Sequence, residues 1–182
     1  MLTVWAKILN ALPESTLYLK AGDFRKEIGI NRIKKRLAIA GIAEERVIFE
    51  PPSPDYRLRY HDMDIALDTF PYPGGGTTCD ALYMGVPVIT LSGPSHHERF
   101  GVSLLANVGL LETCVADTEE EFVTKAIALA QNKTLLAELH YGQNNIRNRM
   151  QQSPLGNAKL YMQDLEKQYE QLYENWRTQA IQ

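Results

Sequence analysis

Apolar positions along this chain alternate between two spacings. Trp5, Ile8, Leu9 and Leu12 recur three and four residues apart and stop at Pro13, which predicts a short amphipathic helix. Residues 15–20 (STLYLK) are β-branched, aromatic and apolar, and predict a strand punctuated by Gly22 and Asp23. Helical spacing returns over 24–40 through Ile28, Ile33, Leu37 and Ala40, with Gly41 as the stop. Residues 46–49 (RVIF) predict a second strand, and Pro51, Pro52 and Pro54 force a loop. A short helix over 56–61 leads into a strand at 64–68 (DIALD). Then come a glycine-rich loop, a helix over 77–84, a strand at 87–91 (PVITL) and a helix through Leu104 and Leu105. A short strand at 113–116 and helices over 119–131 and 134–150 follow, ended by Ser153 and Pro154. The last segment, 158–176, places Leu160, Tyr161, Leu165, Tyr169, Leu172, Tyr173 and Trp176 at helical intervals on a polar background.

Short apolar strands alternating with helices predict an α/β fold, a doubly wound, Rossmann-like parallel sheet covered on both faces. The 182 residues suit one domain, with a core over 1–150 and a C-terminal helical extension over 151–182. The aromatic stripe of that extension reads as core, or as a surface that docks on something else. A formal charge of -3 argues against a nucleic-acid partner, which asks for a basic face. The apolar run 85–91 is too short to span a bilayer and the N-terminus lacks a leader pattern, so a soluble, cytoplasmic protein without membrane attachment is expected. Cys79 and Cys114 have no second Cys or His at ligand spacing, so reduced thiols are expected and a metal site is not.

Candidate chemistry concentrates in residues 68–80 (DTFPYPGGGTTCD), between the carboxyl end of a predicted strand and the start of a predicted helix. Ligands of open α/β sheets bind beyond the strand ends, where a helix N-terminus offers unpaired N–H groups and partial positive charge. Gly74, Gly75 and Gly76 allow close approach of an anion to the backbone, Thr77 and Thr78 add hydroxyl donors, and Asp80 is an acceptor suited to sugar hydroxyls. The same residues also read as a capping box from Thr77 to Asp80 after an ordinary glycine turn. The loop has neither the Gly-Lys-Ser/Thr ending of a P-loop nor the spacing of a dinucleotide fold.

The run 64–90, with DIALDTFPY followed by the glycine loop, TTCDALYMGVPVIT, resembles the signature of the O-linked N-acetylglucosamine transferase and SPINDLY-like family. Gly93, His96, Arg99, Gly101, Ser103, Leu104 and Leu105 reproduce its G-x-x-H-x-x-R-x-G-x-S-L-L run. Trp5 through Leu9, Pro13, Ser15 and Leu17 upstream, and Ser153-Pro-Leu with the aromatic helix downstream, extend the likeness over nearly the whole chain. The resemblance implies the second lobe of a two-lobed GT-B glycosyltransferase, usually preceded by tetratricopeptide repeats, that takes a UDP-sugar as donor and a protein as acceptor through the other lobe or the repeats. It implies diphosphate binding by Thr77, with Thr78, Gly75 and Gly76, and ribose binding by Asp80. It also implies a base-facing loop at 50–54 and a nucleotide-adjacent Arg59. The catalytic groups are expected mainly on the other lobe.

The chain departs from the family pattern at Tyr56, where a histidine is common, and at Gly76, where a threonine is common, so a non-catalytic nucleotide-sugar-binding module and a GT-B enzyme with another donor stay open as alternatives. The lysine and glutamine that the family places just before the first helix have no counterpart here, and Lys7 reads as a solvated helix face. His96 and Arg99 read either as donor-site residues or as a helix cap with its ion pairs. His61, His97 and His140 read as surface residues. Neither Ser95 nor Ser103 has a base and orienter matched to it, so a serine hydrolase is not expected.

Overall fold

The computed structural model describes residues 1–179. In chain order the elements are α1 (Leu2–Ala11), β1 (Leu17–Lys20), α2 (Glu27–Ile39), β2 (Val47–Glu50), β3 (Ala66–Leu67), α3 (Gly76–Tyr83), β4 (Val88–Leu91) and α4 (Phe100–Asn107). They continue with α5 (Leu111–Cys114), β5 (Val115–Ala116), α6 (Glu119–Gln131), α7 (Lys133–Tyr141), α8 (Ile146–Gln152) and α9 (Ala158–Gln179). All strand pairs are parallel: β1 with β2 from Leu17↔Val47 to Lys20↔Glu50, β3 with β4 at Ala66↔Val88, and β4 with β5 at Thr90↔Val115. Helices fill the crossovers, as parallel pairing requires. The α/β fold read from the alternation is therefore the one formed.

The ladders fall into two pieces, β1–β2 and β3–β4–β5. Packing of α1 joins them: Val4 and Ile8 enter the larger core, while Ala6 and Leu9, on an adjacent stripe, enter the smaller one with Leu17, Leu37, Ile42 and Val47. Arg46 fastens the same junction, its guanidinium donating to the carbonyl oxygens of Leu9 (3.0 Å) and Leu12 (2.7 Å) at the end of α1, which also accept the N–H groups of Leu12 and Ser15. In the larger core β4 is buried through Val88, Ile89 and Thr90, with α3, α4 and α6 packed on it. Each fully buried Val, Ile, Leu or Phe there contributes about 1.5–3 kcal/mol of apolar transfer energy.

Glycine ends α2 as expected. Gly41 has φ 81, its N–H reaches Ala38 O at 3.0 Å, and the N–H of Ile42 reaches back to Leu37 O at 2.9 Å, a left-handed C-terminal cap. Gly85 closes α3 in the same way, with the Val86 N–H on Ala81 O at 2.8 Å. That turn directs the chain straight into β4.

Several expected elements are corrected. The helix over 24–40 is a 3-10 turn at Gly22–Arg25, an extended Lys26, and then α2; the Asp23 carbonyl packs so closely over Gly29 that a Cβ there would lie 2.2 Å from it. The helix over 134–150 is broken between α7 and α8, because Gly142 leaves helical geometry and Asn145 begins a new helix by accepting the Asn148 N–H at 2.9 Å. The strand at 113–116 is half helix, and the pairing at 64–68 shrinks to two residues. His140 is half-buried rather than on the surface, its Nε2 2.9 Å from Asp64 O. The stripe of α9 is not core: the helix has no buried residue, and Tyr169, Leu172, Tyr173 and Trp176 are all exposed. Residues 180–182 of the expected extension lie outside the described residues.

Candidate functional site

The glycine loop is organised from below by Asp68, the residue that follows β3. Asp68 is 6% exposed, and its carboxylate accepts from the Gly74 N–H (2.6 Å) through Oδ1 and from the Thr90 hydroxyl (2.9 Å) through Oδ2. Burial pushes its pKa up, against the hydrogen bonds from Gly74, Thr90 and Thr69, which favour the charged form. Two glycines make room for this arrangement. A Cβ at Gly74 would lie 2.4 Å from Thr77 Oγ1 and 2.7 Å from Thr78 Oγ1, and one at Gly101 of α4 would lie 2.3 Å from Thr90 Oγ1 and 2.9 Å from Asp68 Oδ2. The glycines of both sequence motifs thus converge on one buried carboxylate.

Above Asp68 the loop delivers the N-terminus of α3 to the surface. The helix has Gly75 as its N-cap with no side-chain cap, so the expected Thr77–Asp80 capping box is absent. The first amide bonded within the helix is Cys79 N–H to Gly75 O, which leaves the N–H groups of Gly76, Thr77 and Thr78 without intrahelical acceptors. Gly76 and Thr77 are exposed, whereas Thr78 is buried at 3% exposure beneath the loop, a supporting position rather than a ligand-facing one. A Cβ at Gly76 would meet nothing within 4 Å, and one at Gly75 only Phe100 Cδ2 at 3.9 Å. Gly74 is therefore required by packing, while Gly75 and Gly76 leave the amides open. An anion at this point meets free donors and the positive end of the helix.

The other wall is the 3-10 helix Tyr56–Asp62. Tyr56 OH donates to Asp80 Oδ2 at 2.8 Å, Arg57 Nε lies 3.1 Å from Asp80 Oδ1, and Tyr60 OH donates to Thr77 O at 3.3 Å. Arg59 turns the other way, its Nε 3.0 Å from Glu50 and its Nη1 3.5 Å from Asp62. Glu50, the last residue of β2, also accepts from Lys20 Nζ at 2.6 Å and from the Tyr18 hydroxyl, and Lys20 continues to Ser53 Oγ at 3.2 Å. Hydrogen bonding by Lys20 and then Tyr18 holds the Glu50 carboxyl below its ordinary range, while burial, with Glu50 second, pushes the Tyr18 phenol up to about 12. This cluster fixes the start of loop 50–54.

His96 reaches the loop indirectly, its ring edge-on to Phe100 at 5.3 Å, and Phe100 borders Gly75. Arg99 is exposed and makes no ion pair among the described residues, so the ion-pairing reading of that residue finds no partner there. Between them Glu98 accepts the Ser95 N–H at 3.0 Å, fitting against Gly93, where a side chain would collide with it. Sequence reasoning missed Asp68, Thr90 and Gly101 as the buried support and Arg57 as a partner of Asp80. The polar residues at the ends of two apolar strands, Asp68 and Thr90, were the available signal. Among the described residues no three His, Cys, Asp or Glu side chains gather as metal ligands, and no helix is long and apolar enough to cross a membrane.

With this geometry in place, comparison with known proteins is specific. The model of glycosyl transferase family 41 matches residues 1–165. The chain is 39% identical over 179 residues to a Solanum lycopersicum protein described as a probable UDP-N-acetylglucosamine–peptide N-acetylglucosaminyltransferase SPINDLY, and 38% identical to the Arabidopsis thaliana protein of the same description. Each match covers 97% of this chain and 19% of the relative, so the chain spans about a fifth of the length of these relatives. A solved mutant O-GlcNAc transferase from Thermobaculum terrenum superposes with a TM-score of 0.87 at 35% identity, over 96% of this chain and 33% of that one.

Proposed function

Because the chain belongs to glycosyl transferase family 41, we propose that it is the donor-binding lobe of a GT-B enzyme that moves N-acetylglucosamine or a related sugar from a UDP-sugar to protein hydroxyls. The observation that carries this reading is the open N-terminus of α3, set on a glycine loop that Asp68 anchors from below. A diphosphate there is bound by the free N–H groups of Gly76, Thr77 and Thr78 and by the Thr77 hydroxyl, with the loop at Gly75 allowing the approach. Asp80 takes the ribose hydroxyls, and loop 50–54 faces the base. His96 reaches the loop through Phe100, Arg99 beside it is an exposed cation available to the donor, and Arg59 holds the outer wall through Glu50.

In glycosyl transfer the leaving diphosphate gains negative charge as the sugar carbon gains positive character. Fixed N–H dipoles aimed at that charge lower the barrier without moving, and they do so without a metal ion. This lobe supplies leaving-group stabilisation. Activation and positioning of the acceptor hydroxyl fall to residues beyond this chain, so the chain alone transfers little or no sugar. A cytoplasmic enzyme with tetratricopeptide repeats that present the protein acceptor completes the reading; it is supported by the relatives' length and by the two free thiols.

Calorimetric titration of the chain with UDP, against ADP and GDP, tests the proposal. Saturable UDP-selective binding that is lost in folded Thr77→Ala and Asp80→Asn variants is expected. Binding that ignores the base, or that survives both substitutions, would overturn it.

A further inference from the structure

Asp80 lies one turn into α3, and both of its oxygens are already in use. Tyr56 OH occupies Oδ2 at 2.8 Å, Arg57 Nε occupies Oδ1 at 3.1 Å, and Arg57 Nε also lies 3.3 Å from the Tyr56 oxygen, so the three groups form a closed triangle. A carboxylate offers about four lone-pair directions, so about two stay free, and the two protein donors decide where those point. The 3-10 helix that carries Tyr56 and Arg57 is tethered on both sides, by Tyr60 to the Thr77 carbonyl and by Arg59 to Glu50. It cannot slide along α3 without breaking contacts at each end. Arg57 itself is well exposed, with 58% of its side chain accessible against 19% for Asp80, so its guanidinium covers the carboxylate from the solvent side.

We propose that Tyr56 and Arg57 are positioning residues that aim the free lone pairs of Asp80 at the vicinal hydroxyls of the donor ribose, and so set the preference for a ribonucleotide over its deoxy analogue. The inference rests on the reading of Asp80 as the ribose acceptor, and it assigns to Tyr56 a role that a histidine is not needed to fill. Neither residue touches the reacting atoms. Without Arg57 the carboxylate is held by Tyr56 at one oxygen alone and has a wider range of orientations, which a ribose diol then has to narrow on binding. That ordering weakens diol recognition by about three- to tenfold and leaves the phosphate contacts untouched.

The test compares UDP with 2′,3′-dideoxy-UDP by calorimetry on the native chain and on Arg57→Ala, Arg57→Lys and Tyr56→Phe variants, with each fold checked by circular dichroism. The native chain is expected to prefer UDP by about tenfold or more, the scale of hydrogen bonds to a charged group. Arg57→Ala is expected to cut that preference about three- to tenfold with dideoxy affinity unchanged. Tyr56→Phe should move the same way, and Arg57→Lys should restore part of the preference, since an ammonium also donates to a carboxylate. Equal weakening of both ligands would mark a merely structural role and overturn the proposal, as would tighter UDP binding by Arg57→Ala, which would mark a competitor. A native chain that binds neither ligand would strike the donor-site reading itself and this proposal with it, a result distinct from either of those.

Discussion

At the proposed phosphate end of the site the backbone is fixed by a buried group, with the Asp68 carboxylate accepting from Gly74 and Thr90 inside the fold and the α4 backbone pressed close at Gly101. At the proposed ribose and base end the contacts are polar and accessible on one side: the side chains of Arg57 and Arg59 are 58% and 53% exposed in their pairs with Asp80 and Glu50. Buried hydrogen bonds are costly to break, because their partners cannot turn to water, whereas exposed ion pairs contribute little and are screened by salt. The support of the glycine loop is thus part of the folded core, and the wall at Tyr56–Asp62 is a surface device. A change of donor preference can arise in the wall without endangering the fold, and the departure at Tyr56 lies there, whereas that at Gly76 opens α3 itself.

The largest expected effect comes from Asp68→Ala, which strips the Gly74 N–H and the buried Thr90 hydroxyl of their acceptor. Destabilisation of about 2–4 kcal/mol is expected in urea unfolding, with loss of UDP binding in whatever remains folded. A loss below 0.5 kcal/mol would remove the distinction between the two ends. The next contrast sets two adjacent glycines against each other. Gly74→Ala forces a Cβ onto the Thr77 and Thr78 hydroxyls and is expected to cost about 1–3 kcal/mol, whereas Gly76→Ala enters open space at the first helical position and is expected to leave stability unchanged or raised by a few tenths of a kcal/mol. Comparable losses at both positions would mean that the loop is not pinned from one side. Smaller still is Arg59→Ala, expected to cost about 0–1 kcal/mol in thermal unfolding and less at high salt. A loss that grew with salt would show that the wall is held by something other than its ion pairs.

The sequence carried this division unevenly. The helix stop at Gly41, the buried strand at β4 and the start of α6 followed from local rules, because each depends on residues a few positions apart. The breaks at Lys26 and at Gly142–Asn145 did not, since helical spacing continues across them and only tertiary contacts, such as Asp23 over Gly29, decide the matter. In the candidate site, Thr77 and Asp80 were legible as candidates from motif and position. Their support was not, because Asp68, Thr90 and Gly101 meet across three elements, and Arg57 meets Asp80 from 23 residues away. Thr78 is the converse case: its hydroxyl, next to a glycine loop, reads as a ligand donor, yet the helix turns the side chain inward and leaves only the backbone N–H without an intrahelical acceptor. The aromatic stripe of α9 gave a clear amphipathic pattern but no information on what it faces.

The two ends should also answer to pH with opposite sign. The Asp68 carboxyl is raised by burial, so between the unfolded value and its own raised value the native state binds more protons than the unfolded state, and stability falls as pH rises through that window. Glu50 is lowered by Lys20 and Tyr18, so the unfolded state binds more protons there, and its contribution is present above the ordinary carboxyl range and lost as pH falls below it. Urea unfolding of native, Asp68→Asn and Glu50→Gln chains from pH 3 to 7 separates the two. Asp68→Asn is expected to flatten the decline on the rising side, and Glu50→Gln to flatten the loss on the acid side. The second change should be the smaller, because the Lys20 pair that chiefly lowers Glu50 lies at the partly exposed end of β2, where solvent and salt screen it. The same sign of change in both variants would show that Asp68, for all its burial, is governed by its three donors rather than by the removal of water, and the phosphate end would then differ from the ribose end in depth alone.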